Sequence, residues 1–364
     1  MQGGLMNVFS SQTAAIALGV GVFAVSIGAT DALAQQSVSF KDKTMTMIIG
    51  YPPGGGTDAS GRLIAQFLTK HLPGNPPFVV RNMPGAEGIV ALNYFVEPSQ
   101  VKPDGLTITM GSSVQLDPLS VRVPQVHYDP AKFHYIGGVG RGGSMIITDI
   151  DGFKRINDPK GEPAIVGSIG GVPRSTMQTV AWGIEHLGWN GKWVLGYRGT
   201  NDVMLALERG EVNVTSTGNM FQLEKLLQTG KFKILAQTGT LQGGKFLPRP
   251  EFADAPLFPD MMKGKIKDPI IEKAFDYWQS LVAADKWLAL PPNTPANVVE
   301  TYNVAFDKLI ADEEFSALGK KISEDFEPMS RQDVELLVQT LSNTPNEALG
   351  YMKDMLRKQG MTMN

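Results

Sequence analysis

Two short glycine-rich loops, about thirty residues apart, constrain this chain more than any other feature. The first reads Gly50-Tyr51-Pro52-Pro53-Gly54-Gly55-Gly56-Thr57-Asp58 and the second Arg81-Asn82-Met83-Pro84-Gly85-Ala86-Glu87-Gly88. Each follows a short apolar run, at 45–49 and 78–80, and each leads into residues spaced as a helix. A glycine-rich turn from strand to helix lets backbone N–H groups converge on a ligand with no side chain in the way. The helix behind it adds unpaired N–H donors and the positive end of its dipole, which suits an anion. Two such turns in successive βα units imply a site that holds something negatively charged from two sides.

The alternation continues along the chain. Leu63, Ile64, Phe67, Leu68 and Leu72 recur at helical spacing, with Thr57 or Asp58 available as N-cap. Ile89, Leu92, Phe95 and Val96 mark the next helix face, and Pro103-Asp104-Gly105 makes a turn before a strand at 106–110. This order predicts an α/β fold with a largely parallel first sheet. A second α/β block is expected from about Phe133. It has strands at 145–148, 164–167, 193–196, 212–216 and 234–237, and helices at 177–187 and 202–208. Residues 242–268, rich in Pro, Gly and Lys without a period, read as a long surface loop. The tail reads as helical. Ser330-Arg331-Gln332-Asp333 and Thr344-Pro345-Asn346-Glu347 both have the capping-box form, the second with Pro at the first helical position. The implied organisation is one lobe from 35–135 plus 238–364 and another from 136–237. Few chain crossings and a polar, wet interface between the lobes are expected to favour an open cleft.

Residues 14–28 are uncharged and apolar, and Ala32-Leu33-Ala34 fits an A-x-A cleavage site, so 1–34 reads as an export signal. The run is shorter than the roughly 20 residues of a membrane span. No Lys or Arg precedes it, and an uncleaved anchor or a buried helix is the other reading. A chain without cysteine has no disulfide, thiolate metal site or Cys nucleophile. A formal charge of −3 with no basic patch gives no support to a nucleic-acid partner.

Several chemistries can be weighed on particular residues. Gly54-Gly55-Gly56-Thr57-Asp58-Ala59 satisfies the G-x-G-x-x-A pattern of a dinucleotide fold, but the second strand ends Arg81-Asn82 with no acid for a ribose. No Gly-Lys-Ser/Thr follows either loop, which excludes a Walker A site. His71, His127, His134 and His186 show no metal-ligand spacing. Asp149-Ile150-Asp151-Gly152 begins like a calcium loop, but Phe153 stands at the third ligand position, so it reads as a turn. Ser112, Ser168 and Ser216 end strands, where open α/β sheets place ligands, and no Gly-x-Ser-x-Gly elbow surrounds them. The hydroxyls of Tyr51 and Thr57 can donate to a carboxylate. Asp58 is either a cap or a ligand group. Glu87 either turns outward as a first-turn charge or meets an amino or hydroxyl group of the ligand. Arg174 and Arg198 either fork onto a carboxylate or are solvated or lobe-bridging. Trp182, Trp189 and Trp193 are core or pocket wall.

In their order and spacing these pieces resemble the TctC or Bug family, the periplasmic solute-binding proteins of tripartite tricarboxylate transporters. Residues 51–58 are similar to the family's first ligand loop, and Asn82-Met83-Pro84-Gly85-Ala86-Glu87-Gly88 to its second, with Glu87 where a glycine is usual. Pro103-Asp104-Gly105-Leu106-Thr107 to Gly111-Ser112, Gly167-Ser168-Ile169-Gly170, Tyr197-Arg198-Gly199-Thr200 and Pro291-Pro292-Asn293-Thr294-Pro295 continue the match. A second departure is Pro173-Arg174-Ser175-Thr176, where the family often has a His.

The resemblance implies a two-lobed periplasmic-binding-protein fold, type II-like, with the ligand in the interlobe cleft. It implies a periplasmic receptor rather than an enzyme, with no cofactor and no metal. The ligand would be a di-/tricarboxylate or aromatic acid, and the partner a permease of one large and one small membrane subunit. The binding positions expected are Tyr51, Pro53, Gly54, Gly55, Gly56, Thr57 and Asp58 in the first loop, and Gly85, Ala86 and Glu87 in the second. Ser112 joins them, with Ser168, Arg174, Tyr197, Gly199 and Thr200 from the second lobe. The competing readings are a nucleotide-dependent oxidoreductase and a ligand sensor that does not transport.

Overall fold

The computed structural model describes residues 38–362 except 170, 174, 324 and 325. The proposed export signal and Arg174 therefore lie outside the described residues. The first βα units are β1 (Met45–Ile49), α1 (Gly56–His71), β2 (Phe78–Asn82), α2 (Ile89–Phe95) and β3 (Thr107–Ser112). A short α3 (Pro118–Val121) leads to β4 (His134–Arg141). Then come β5 (Met145–Asp149), α4 (Ile150–Ile156), β6 (Ala164–Ile169), α5 (Gln178–His186), β7 (Gly191–Tyr197) and α6 (Thr200–Glu208). The block ends with β8 (Val214–Thr217), α7 (Met220–Gln228) and β9 (Phe232–Gln237). A hairpin of β10 (Thr240–Gln242) and β11 (Lys245–Leu247) is followed by α8 (Phe258–Met262), α9 (Pro269–Ala283) and β12 (Ala284–Leu290). Last come α10 (Ala296–Ile310), α11 (Glu313–Ile322), β13 (Phe326–Met329), α12 (Arg331–Ser342) and α13 (Asn346–Lys358).

The larger strands form two sheets, β13-β4-β12-β3-β1-β2 and β7-β6-β8-β5-β9. β1 runs parallel to β2 and β3, as the alternation predicts, but β12 enters antiparallel between β3 and β4. The first sheet is mixed, and its tail contribution is not purely helical. The reason is local: residues 284–290 lack a two-residue alternation because the last four are buried on both faces. Trp287 fixes this strand. Its ring lies over Phe133 at 5.7 Å, its Nε1 donates to Ser112 O at 2.8 Å, and a Cβ on Gly111 would fall 2.1 Å from it. Helix α1 covers the same sheet, burying Leu63, Ile64, Phe67 and Leu68, with the Phe67 ring edge-on to Phe315 of α11 at 5.4 Å.

Residues 242–268 are not the structureless loop expected from their composition. They contain β11 and α8, and the latter buries Phe258 and Met262 completely or nearly so. Asp149 is an N-cap, accepting from Gly152 N at 2.5 Å, and Ser330 caps α12 as its capping-box form predicts. Thr344 does not cap α13; its hydroxyl donates to Thr340 O and the helix starts one residue after Pro345.

The chain passes between sheets at 142–144 and returns at 238–239, and the two segments are bonded to each other. Ser144 N donates to Thr238 Oγ1 and Thr238 N to Ser144 O, both at 3.0 Å. A second link was not visible in the sequence. Trp182 of α5, fully buried, packs against Phe275 and Trp278 of α9 and Tyr351 of α13, at 5.1, 6.2 and 5.9 Å between ring centres. Trp278 Nε1 donates to Ser175 O, Gln359 Nε2 to Ala181 O, and Lys358 pairs with Glu185. One apolar cluster thus runs from Ile48 and Leu92 through α9, α12 and α13 to Val166 and Trp182. An aromatic seam thus joins the tail helices to α5, beside the second sheet, because those helices bury an apolar face against it.

Trp182→Ala is expected to cost about 3–5 kcal/mol in denaturant unfolding, the range for emptying a large buried aromatic site. Trp182→Phe keeps the ring contact and removes an indole N–H that has no acceptor among the described residues, so it should cost less than half as much.

Candidate functional site

Three strand ends of the first sheet meet at one buried amide. Gln115, 1% exposed, lies in the 3₁₀ turn after β3. Its Oε1 accepts from Ser112 N at 2.5 Å, and its Nε2 donates to Tyr51 Oη at 2.8 Å and to Glu87 O. The Tyr51 hydroxyl also donates to Glu87 O at 3.2 Å and lies 2.7 Å from Ser112 Oγ. Tyr51, Ser112 and the Glu87 carbonyl are thereby brought together. Gln115 was missed, although Ser112-Ser113-Val114-Gln115 has the capping-box spacing that would have found it. Gly88 is required beside it: with φ +92° it sits where a Cβ would come 2.2 Å from Gln115 Nε2.

Asp58 is neither N-cap nor open to solvent. Gly55 is the N-cap of α1, and Asp58 is 3% exposed with both carboxylate oxygens engaged. They accept from Gly54 N, Arg62 Nε and Asn82 Nδ2, each at 2.9 Å. The Arg62 hydrogen bond leads the causes that lower the carboxyl to about 2; burial opposes it, and the Gly54 and Asn82 bonds add to it. Asn82 Nδ2 also donates to Tyr51 O at 2.9 Å. The knot holds the first loop to the start of α1 and the end of β2.

The glycines differ in why they are glycine. Gly54 has φ +83° and Gly85 φ +149°, and a Cβ on Gly85 would lie 2.9 Å from Val90 Cγ2. Gly55 has φ −79° and Gly199, the N-cap of α6, has φ −169°, both open to any residue. A Cβ on Gly55 would meet only Pro52 O at 3.8 Å, and one on Gly56 or Gly199 nothing within 4 Å. Neither internal packing nor backbone conformation requires these three.

The remaining expected residues fall into separate neighbourhoods. Thr200 lines a cavity of about 530 Å³ with Asn201, Thr217, Asn219, Gln222 and Lys321. Gly56 lines another, about 190 Å³, with Ser60 and Lys286, and the two share Ile322 and Ser323. Glu87 lines a chamber of about 640 Å³ with Ser113, Asp117, Pro173, Tyr277 and Trp278. Burial pushes the Asp117 carboxyl up, against the pull of Leu119 N and the Tyr277 hydroxyl. Pro53 and Ala86 are exposed and Thr57 is half-buried. Tyr197 is half-buried at the end of β7 and burial raises its hydroxyl. Ser168 is 2% exposed, its hydroxyl 3.4 Å from Ile169 O. No grouping of three potential metal ligands occurs, and no helix is long and apolar enough to cross a membrane, among the described residues.

No family model matches the chain. The BugT protein of Bordetella pertussis is 29% identical over 94 residues, 26% of this chain and 27% of that protein. A UPF0065 protein of Cupriavidus necator, from the gbd 5′ region, is 25% identical over 238 residues, 61% of this chain and 67% of that protein. The matched part of the chain thus spans about a quarter of the first of these relatives and about two-thirds of the second. Among solved structures, a TctC solute binding protein from Polaromonas, without ligand, superposes at a TM-score of 0.62. It is 17% identical, covering 88% of this chain and all of that one. The chain is related to the TctC and Bug solute-binding proteins. The periplasmic binding protein BugD (TM-score 0.50, 19% identical, covering 87% of this chain and 99% of that one) shares the fold. So does an R. palustris protein solved with adipate (TM-score 0.51, 19% identical, 88% and 98%). The two-lobed periplasmic-binding-protein architecture of the TctC and Bug proteins is the fold of this chain.

A carboxyl held below the ordinary aspartate value stabilises the folded state above that value, and the contribution disappears as pH falls toward the folded pKa. Wild-type stability should therefore drop between pH 4 and pH 2 through Asp58. Asp58→Asn should lose about 2 kcal/mol at neutral pH and show a shallower decline in that window, read by urea unfolding at stepped pH.

Proposed function

We propose that this chain is an extracytoplasmic receptor that captures a small organic carboxylate between two lobes and delivers it to a membrane permease. The observation that carries the reading is the set of bare helix starts at Gly55, Gly56 and Gly199. Nothing inside the protein needs those positions to lack a side chain. Approach of a ligand from outside does, and the N–H groups at the head of α1 and α6 offer it donors and positive potential. The adipate bound by the R. palustris relative is in keeping with a carboxylate here. The lobes are proposed as the portions built on each sheet, and the ligand as lying between their loops. Tyr51, Pro53, Gly54, Thr57, Gly85, Ala86, Ser112, Tyr197 and Thr200 remain proposed contacts or supports of those contacts. Asp58 and Ser168 are proposed as supports only, since both are buried.

The end of β2 gives no support to the oxidoreductase reading. The position for a ribose-binding acid holds Asn82, whose amide is committed to Asp58 and Tyr51. Sensing without transport uses the same binding site, and reconstitution with permease subunits separates it from uptake.

Calorimetry against adipate, citrate and aromatic acids tests the reading. Gly55→Val should lower affinity at least ten-fold while the melting temperature without ligand stays close to wild type, because the new side chain meets only the approaching ligand. Unchanged affinity in a folded Gly55→Val protein would take the first loop out of the site. Thr200→Ala removes one hydroxyl donor to a charged ligand, an effect of about ten-fold for a bond of roughly 1.5–3 kcal/mol.

A further inference from the structure

The cavities lined by Gly56 and by Thr200 meet at the end of α11, where Ile322 and Ser323 wall both. The smaller, about 190 Å³, is bounded by Gly56 at the head of α1, by Ser60 one turn on, and by Lys286 of β12. Ser60 is 1% exposed, and its hydroxyl has no hydrogen-bond partner among the described residues, which leaves it to the space it lines. A buried hydroxyl without a partner costs free energy unless something from outside supplies one. The Lys286 side chain is 12% exposed and pairs with Asp285, which takes one of the three N–H groups of the ammonium. Helix head, serine hydroxyl and lysine thus offer donors to one small cavity.

The larger cavity, about 530 Å³, has a different wall. Ile322 is its one apolar side chain; hydroxyls, amides and two lysines make up the rest. The amides are set in place by each other. Gln222 Nε2 donates to Asn201 Oδ1 at 3.2 Å, and Gln222 N donates to Asn219 Oδ1 at 2.7 Å. Among the described residues the Asn201 amide nitrogen and the Thr200 hydroxyl have no partner. A hydrocarbon or aromatic body lying here would strip water from these groups and return no hydrogen bond. Hydroxyl groups donate and accept, so they satisfy hydroxyl and amide walls alike. Resting on the carboxylate reading above, we infer that the ligand is a polyhydroxylated carboxylate of the sugar-acid type. Its carboxylate enters the smaller cavity at Gly56, Ser60 and Lys286, and its hydroxylated chain lies along Thr200 and Asn201. Lys320 and Lys321 on the larger wall accommodate a second carboxylate.

Calorimetry at neutral pH with the purified protein tests this with matched pairs. D-gluconate is compared with hexanoate and galactarate with adipate, which share a six-carbon chain and differ only in their hydroxyl groups. Citrate and benzoate serve as acids without a hydroxylated chain. The hydroxylated acid of each pair should bind at least ten-fold more tightly, and a Thr200→Val, Asn201→Leu double variant should bring each ratio below three-fold. Both positions are exposed, so this variant should fold. A wild-type ratio near or below one, or a ratio unchanged in the folded double variant, overturns the inference. Ser60→Ala gives an independent reading of the smaller cavity. It should weaken gluconate and galactarate alike by five-fold or more, while the melting temperature without ligand does not fall, since the lost hydroxyl has no internal partner. Unchanged affinity in that variant removes the smaller cavity from the site and overturns the inference. Binding of hexanoate, adipate, citrate or benzoate with neither hydroxylated acid overturns this inference and leaves the carboxylate reading standing. If all six fail to bind, both fall.

Discussion

The side-chain amide of Gln115 is the point on which the first-sheet loops depend. It is the only group that touches Tyr51 after β1, the Glu87 carbonyl after β2 and the Ser112 backbone at the end of β3 among the described contacts. A buried amide with both ends satisfied has one orientation, and so do the three segments bonded to it. Its position explains the glycine at 88, which leaves room for the amide. It also explains how two non-glycine residues, Ala86 and Glu87, persist at positive φ just before it. Beneath this layer the Asp58 knot fixes the first loop to α1, and Trp287 fixes β12 under Ser112. Positioning of backbone donors to within a fraction of an ångström needs such support, since loops alone are mobile.

The glycines separate into classes once the structure is known. At 85 and 88 the chain needs the conformation or the space, and replacing either would disturb the protein itself. At 55, 56 and 199 it needs neither. That internal physics leaves these glycines unexplained is the ground on which a ligand's approach to a helix start is proposed.

Much of this was legible in the sequence, and the failures have definite causes. The βα units before Ser112 and those from Met145 to Gln237 carried clear periods, since each strand or helix buries one defined face. β12 was not legible because a strand buried on both sides has no alternation, and its partners β3 and β4 lie far away in sequence. The 242–268 segment misled because its Pro and Gly content outweighs two buried anchors, Phe258 and Met262. In the site, the glycine loops announced themselves, while Asp58 was ambiguous: its three donors include Asn82, 24 residues away. The seam around Trp182 was beyond reach, since an apolar stripe on α9 or α13 says that something is buried but not against which layer.

That seam bears on how a two-lobed fold of this kind can move. Trp182, Phe275 and Trp278 are aromatic side chains of roughly 150–250 Å² each. Exposing even half of that area would cost on the order of 7 kcal/mol. A ligand that swings an equilibrium from one part in a hundred to ninety-nine supplies about 5.5 kcal/mol of differential affinity. Opening by separation of α5 from α9 and α13 is therefore the dearer route. The crossing segments at 142–144 and 238–239 are held to each other as well. The walls around Thr200, Asn219 and Lys321 are polar. Their groups can exchange protein contacts for water at little cost, so a parting of the proposed lobes would be cheaper on that face than at the aromatic seam.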